Sequence, residues 1–206
     1  DANLDRLADE LRAKGHRPYV IHLGIEHEPL GGLGYAHCAA ECFAQFQEMD
    51  VMPDHVVIPS GSGLTHAGFL AGARAVGWDV PVHGICVRRE ARSQHARIAR
   101  RATEIDIMLD SNGVKPTDIM VYDTVLAPGY GQMNDQVMAA LSYAAQDEAM
   151  LLDPVYTGRT MAGLIALVNE SVIKPDKRVA FIHTGGLPSV FAYQTDILDG
   201  LKNQKI

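Results

Sequence analysis

The sequence predicts an α/β protein: an open, mostly parallel twisted sheet with helices on both faces. Three observations carry this expectation. Short apolar runs alternate with longer helical patterns along the chain, and such alternation means parallel strands joined by crossover helices. Glycine-containing turns follow two of the apolar runs, at Ser60–Thr65 and at Thr184–Gly186. Ligands of open α/β sheets sit at such carboxyl ends of strands. Finally, 206 residues with 47% hydrophobic and 21% charged content describe one large soluble domain, or a domain plus a subdomain.

Taken in order, residues 3–14 read as an amphipathic helix with Leu4, Leu7, Ala8 and Leu11 on one side, ended by Lys14-Gly15. Residues 19–23 read as a strand. Pro29 to Gly34 reads as a glycine-rich turn, followed by a helix through about Met49. A strand at 55–58, a Gly/Ser loop and a helix at 66–76 come next. A strand at 81–87 precedes a helix from Arg89 to about Leu109. Residues 118–122 form a shorter, weaker strand, and Asn134 to about Ala149 a helix. Another helix starts near Gly158, and residues 177–183 are the last clear strand.

The run Ile58-Pro59-Ser60-Gly61-Ser62-Gly63-Leu64-Thr65-His66-Ala67-Gly68 is the most informative stretch. Backbone N–H groups at a helix N-terminus lack internal partners, and glycines let the chain curl around a phosphate. The expectation is a phosphate-bearing ligand held by Gly61, Ser62, Gly63, Leu64 and Thr65. The spacing matches neither G-x-x-x-x-G-K-[ST] nor G-x-G-x-x-G, and no lysine follows the loop, which argues against a nucleoside triphosphate. The competing reading is an ordinary tight turn capped by Thr65.

The net charge of −7 argues against nucleic acid or an anionic membrane as partner. No apolar run approaches the roughly 20 residues that span a bilayer. The first residues show neither a basic nor an apolar leader segment, and the chain does not begin with Met. Three cysteines, an odd count, fit a reducing cytoplasm. Cys38 and Cys42, beside His37, offer too few ligands for a closed zinc site, so buried apolar-face cysteines and no metal are expected. The arginines 88, 89, 92, 97, 100 and 101 read as a solvated helix face, with an anion site as the alternative.

Three further turns present hydroxyls: Pro128-Gly129-Tyr130-Gly131, Leu152 to Gly163 with Tyr156 and Thr157, and Phe181-Ile182-His183-Thr184-Gly185-Gly186-Leu187-Pro188. Together with Tyr19-Val20-Ile21, Pro29–Tyr35 and Ser60–Gly68, these stretches resemble, in order and through nearly the whole chain, a pyridoxal-phosphate enzyme family. It comprises D-cysteine desulfhydrase and 1-aminocyclopropane-1-carboxylate deaminase, of the tryptophan-synthase-β fold type. The resemblance implies pyridoxal 5'-phosphate as cofactor, with its phosphate on the amides of Gly61–Thr65. It implies Thr157 and Thr184 as cofactor contacts, Thr184 toward the pyridine nitrogen, and Tyr130 and Tyr156 as the catalytic side chains. It further implies a cytoplasmic homodimer acting on a small amino acid. Thr157 and Thr184 resemble the desulfhydrase-like branch, which implies β-elimination from a substrate such as D-cysteine or cysteate to pyruvate and ammonia. Ring-opening deaminases, similar to Y-E-G at the Tyr156 turn and carrying Leu in the H-x-G-G turn, are the second reading. A non-catalytic phosphate-ligand-binding domain is the third. The family's cofactor-bearing lysine stands upstream in a Gly-Asn-Lys context, and none of Lys14, Lys115, Lys174, Lys177, Lys202 and Lys205 has that context. The chain is therefore expected to be the C-terminal portion of such an enzyme. It would be mainly the large cofactor-binding domain, with its N-terminal residues passing through the small one.

Overall fold

A computed structural model describes residues 2–22 and 24–203. The strands are His55–Ser60 (β1), Val82–Cys86 (β2), Met120–Tyr122 (β3) and Val179–Phe181 (β4). They form one parallel sheet in the order β3-β2-β1-β4. Val56 pairs with Val82 on one side and Ala180 on the other, and Ile85 pairs with Tyr122. The two central strands are buried almost throughout, as expected of parallel strands covered on both faces.

Among the described residues, seven α-helices accompany the sheet: α1 (Ala2–Ala13), α2 (Leu30–Glu48), α3 (Leu64–Ala75), α4 (Ala91–Met108), α5 (Asp135–Glu148), α6 (Thr157–Asn169) and α7 (Gln194–Asn203). The strand pleat divides the core. Val56, Ile58 and Val82 pack with Phe69, Leu70, Ile98 and Ile105 beneath α3 and α4. Val57 and Ile85 point to the other face, against Val137, Leu141, Ala162 and Leu167 of α5 and α6. Cys38 and Cys42 are half-buried against the first core. Burial, followed by the neighbouring Cys38, pushes the Cys42 thiol up to about 11. Among the described residues no helix is long and apolar enough to cross a membrane.

Two expectations change. Pro29–Gly34 is not a turn: α2 starts at Leu30, and its glycines serve helix packing. A Cβ on Gly68 would lie 2.1 Å from the Gly32 carbonyl oxygen, and one on Gly72 would lie 2.3 Å from that of Ala36. These small residues let α2 and α3 approach backbone to backbone. Residues 19–22 join no sheet, with Tyr19 and Ile21 exposed, and Leu23 lies outside the described residues. The chain is also helical from just before Pro188: a 3-10 helix at Leu187–Tyr193 leads into α7.

Candidate functional site

The strand–loop–helix run builds as its residue types dictate. β1 ends at the fully buried Ser60, the chain turns through Gly61-Ser62-Gly63, and α3 begins at Leu64. Gly63 has φ of 96°, in the left-handed region that glycine tolerates. Thr65 does not cap the helix: Gly63 occupies the cap position and no side chain there accepts a bond. The neighbouring helix starts differ. Asp123 accepts from the Ala91 amide of α4 at 2.6 Å, Asn134 caps α5, and Asp153 takes the amides at the start of α6. At α3, among the described residues, only the Leu64 amide meets a side chain, the Ser62 hydroxyl at 3.4 Å. The orphan donors of the α3 start thus remain open to a ligand, at the positive end of the helix dipole.

They open on a cleft of about 330 Å³ lined by Tyr35, Pro59, Gly61, Ser62, Gly63, Thr65, Tyr156 and Thr184–Gly186. A separate, mainly apolar groove runs between α5 and α7, lined by Met138, Leu141, Leu187, Ile197 and Leu201. The opposite wall of the cleft is the turn after β4. Gly185 and Gly186 have φ of 90° and 91°. A Cβ on Gly186 would strike the Asp153 carboxyl carbon at 2.7 Å, whereas one on Gly185 would enter open space. Only glycine meets both demands, and the result is an unobstructed wall beside Thr184.

Asp153 organises the third side. Its Oδ1 accepts from the Thr157 amide and hydroxyl, both at 2.7 Å, and its Oδ2 accepts from the Val155 and Tyr156 amides at 2.9 and 2.8 Å. This places Tyr156 at the helix start with its ring on the cleft. The Tyr156 hydroxyl lies 2.6 Å from that of Tyr130, and the Arg88 guanidinium stacks over the Tyr130 ring at 5.6 Å. Burial first, and then the hydrogen bond with Tyr130, push the Tyr156 phenol up to about 12, so it keeps its proton at neutral pH.

The structure therefore brings Gly61, Ser62, Gly63, Thr65, Tyr156 and Thr184 to one cleft, with Tyr130 behind Tyr156. Leu64 contributes backbone only: its side chain turns toward Gly31. Thr157 does not reach the cleft. It is fully buried, and its hydroxyl donates to Asp153 Oδ1 while accepting from the Asp153 amide at 2.9 Å. The arginines also depart from expectation. Arg101 is 1% exposed and donates to the carbonyls of Gly24 and His27. Arg89 and Arg97 bond the carbonyls of Gly61 and Ser62. Two important residues escaped the sequence reading. Asp153 had a local signal, an Asp-Pro four residues before a threonine at a helix start. Arg159 had none: it is fully buried and donates to the carbonyls of Val125, Leu126, Gly129 and Gln132, holding the loop that presents Tyr130.

An amide-lined cradle, a glycine-walled cleft and a tyrosine pair lie together at the strand ends of a parallel sheet, the place and the chemistry that suit a phosphate-bearing ligand in the α/β class. The chain belongs to the pyridoxal-phosphate dependent enzyme family, whose model matches residues 1–185. It is 38% identical over 191 residues to D-cysteine desulfhydrase of Serratia proteamaculans, covering 93% of this chain and 57% of that protein. It is 40% identical over 197 residues to D-cysteine desulfhydrase of Salmonella typhi, covering 96% and 59%. The chain thus spans under two thirds of the length of these relatives. A solved structure described as an ACC deaminase homologue superposes with a TM-score of 0.81 at 30% identity, over 95% of this chain and 57% of that one. O-ureido-L-serine synthase, at 17% identity and a TM-score of 0.55, shares the fold.

The cleft fits the family's cofactor, pyridoxal 5'-phosphate, on grounds internal to this chain. The uncapped α3 start suits a phosphate, and the open wall at Gly185 suits a flat ring.

Proposed function

We propose that the full-length protein is a lyase that removes a β-substituent from a small amino acid of the D-cysteine type. The net reaction is D-cysteine plus water giving pyruvate, ammonia and hydrogen sulfide. The observation that carries this reading is the convergence of the uncapped α3 start, Thr184 and the Tyr130–Tyr156 pair on one cleft. The bound cofactor supplies an electron sink for the carbanion formed at the substrate α-carbon. The amides of Ser62, Gly63 and Thr65 bind and orient its phosphate. Thr184 offers a neutral hydroxyl to the ring. A hydroxyl stabilises a ring cation less than a carboxylate does, which suffices for expelling a good leaving group such as thiolate or sulfite. Tyr156 holds a proton at its Oη, kept there by burial and Tyr130, and would deliver it to the departing sulfur. Among the described residues no lysine lines the cleft, and we assign the cofactor-bearing lysine to the part of the relatives' length that this chain does not match. The chain is read as mainly the large cofactor-binding domain of a cytoplasmic homodimer, a reading supported by the family likeness.

Ring-opening deamination is the second reading, favoured by the ACC deaminase homologue structure. Position 157 no longer separates the two by ligand contact, because Thr157 faces Asp153. The choice rests on Thr184. Full-length protein given D-cysteine is expected to release sulfide and pyruvate together, with little 2-oxobutyrate from 1-aminocyclopropane-1-carboxylate. The opposite preference overturns the assignment. The anion site has its own test in Thr65→Asp. A carboxylate in the first turn of α3 favours the helix dipole and should not lower stability. Facing a phosphate, it should weaken cofactor binding roughly tenfold or more by repulsion. Unchanged retention removes the site.

A further inference from the structure

We infer that Arg89, Gln94 and Arg97 are positioning residues that turn the cradle's amides toward the ligand; this deepens the anion-site reading and rests on it. The Gly63 carbonyl is held by the Ala67 amide of α3 at 2.9 Å, but among the described residues the carbonyls of Gly61 and Ser62 meet no strand or helix amide, and glycine leaves those peptide planes free to rotate. Something must choose which edge of each peptide faces the cleft. The choice is made from the far side. Arg89 Nη1 donates to the Gly61 carbonyl at 2.8 Å, and Gln94 Nε2 donates to the same oxygen at 3.2 Å. Gln94 Nε2 also donates to the buried Ser60 hydroxyl at 2.9 Å. Arg97 Nε donates to the Ser62 carbonyl.

A trans peptide is planar, so its N–H points opposite its C=O. Drawing the Gly61 oxygen toward α4 sends the Ser62 N–H the other way, toward the cleft. Drawing the Ser62 oxygen does the same for the Gly63 N–H. Without this hold, either carbonyl could swing to the cleft and present a negative dipole to a phosphate.

Two features indicate that these bonds are specific rather than incidental. Gln94 is fully buried, and its Oε1 has no partner among the described residues, so its polar contacts are all made to Ser60 and Gly61. Arg89 and Arg97 are both held against their charged forms, by burial first and then by neighbouring arginines. Crowding cations there is unfavourable in the free protein. It is relieved when an anion binds on the other side of the loop, so the same residues orient the donors and favour the charge. Arg97 also lies beneath Gly63, where a Cβ would sit 3.6 Å from its Cγ, so the loop rests on its stem.

The test compares pyridoxal phosphate with pyridoxal, which lacks the phosphate, by equilibrium dialysis against cofactor-stripped full-length protein. Arg89→Ala and Arg97→Ala are the variants, since both side chains are only partly buried and their removal leaves the core intact. Each is expected to weaken pyridoxal phosphate roughly tenfold, the scale of one charge-assisted hydrogen bond, while pyridoxal changes less than about twofold. Equal losses for both ligands would mean a general structural role and overturn the inference. If the double variant binds pyridoxal phosphate normally while Thr65→Asp does not, the anion site stands and the clamp falls. If Thr65→Asp also binds normally, the site reading falls and the clamp with it.

Discussion

Tyr156 shows how a single side chain acquires its chemistry from its surroundings. The helix-start position set by Asp153 puts its ring on the cleft, and Tyr130 holds its hydroxyl. Removing the hydroxyl in Tyr156→Phe should lower sulfide release by about 10²-fold, the usual scale of a lost acid–base group, with cofactor affinity unchanged. A drop in affinity matching the drop in rate would assign Tyr156 to binding instead. Tyr130→Phe removes one of the causes that raise the Tyr156 phenol to about 12. The phenol is then easier to ionise, and because the proposed role needs its protonated form, the alkaline limb of the rate profile should move to lower pH. A limb that stays in place or moves up would contradict the pairing. The sequence marks Tyr130 and Thr184 by glycines beside them and Tyr156 by its turn before a helix, and the structure brings Tyr156 and Thr184 to one cleft with Tyr130 bonded to Tyr156. Adjacency in sequence does not tell which way Thr157 faces at a helix start. Asp153 turns it inward.

At the scale of elements, two contests of magnitude decide stability. Gly72→Ala in α3 gains about 1 kcal/mol of helix propensity. Its Cβ, however, would meet the Ala36 backbone of α2 at 2.3–2.7 Å, and a backbone cannot swing aside as a side chain can. Overpacking of this kind costs about 1–3 kcal/mol or more, so the net change in a denaturant titration should be destabilising despite the better helix former. A neutral or stabilised variant would show that α2 and α3 can slide apart. Asp153→Ala releases the amides of Val155, Tyr156 and Thr157 together. A lost cap costs about 1–2 kcal/mol, and buried unpaired donors add to it. The variant should unfold at clearly lower denaturant and lose activity beyond what its residual folded fraction explains, because Tyr156 loses its anchor. Full activity per folded molecule would make Asp153 a cap alone. The glycines of residues 29–34 were misread for a related reason: a glycine needed for close helix approach looks, in sequence, like one needed for a turn.

For the whole molecule, two histidines tie folding to pH. His66 lies fully buried with its Nδ1 3.1 Å from the Ser60 hydroxyl. His83 bridges β1 and β3 through His55 Nδ1 at 3.0 Å and the Tyr122 hydroxyl at 3.1 Å. Burial lowers each from 6.5 to about 4. The unfolded chain therefore binds protons between pH 6.5 and 4 that the folded chain refuses. Stability is fully present above 6.5 and is lost as pH falls toward 4, by on the order of 3 kcal/mol per histidine. Urea titrations between pH 7 and 4.5 should show this decline. His66→Asn, which keeps a polar atom near Ser60 and cannot titrate, should remove about half of it, leaving the share of His83. A stability constant over this range would mean that both rings accept a proton in the folded state.

By itself the sequence determined the α/β class, the parallel order of strand and helix, the phosphate-type loop and the family resemblance. These follow from local features: hydrophobic period, glycine spacing and turn chemistry all act within a few residues, and a linear reading captures them. Only the tertiary structure decided which side chains meet. The pairing of Tyr130 with Tyr156, the hold of Arg159 on the Tyr130 loop, and the reach of Arg89, Gln94 and Arg97 to the cradle join residues roughly 26 to 35 positions apart. Such contacts depend on the order of strands in the sheet and on which face each helix covers. Those are set by packing of the whole core, and no window of neighbouring residues contains them.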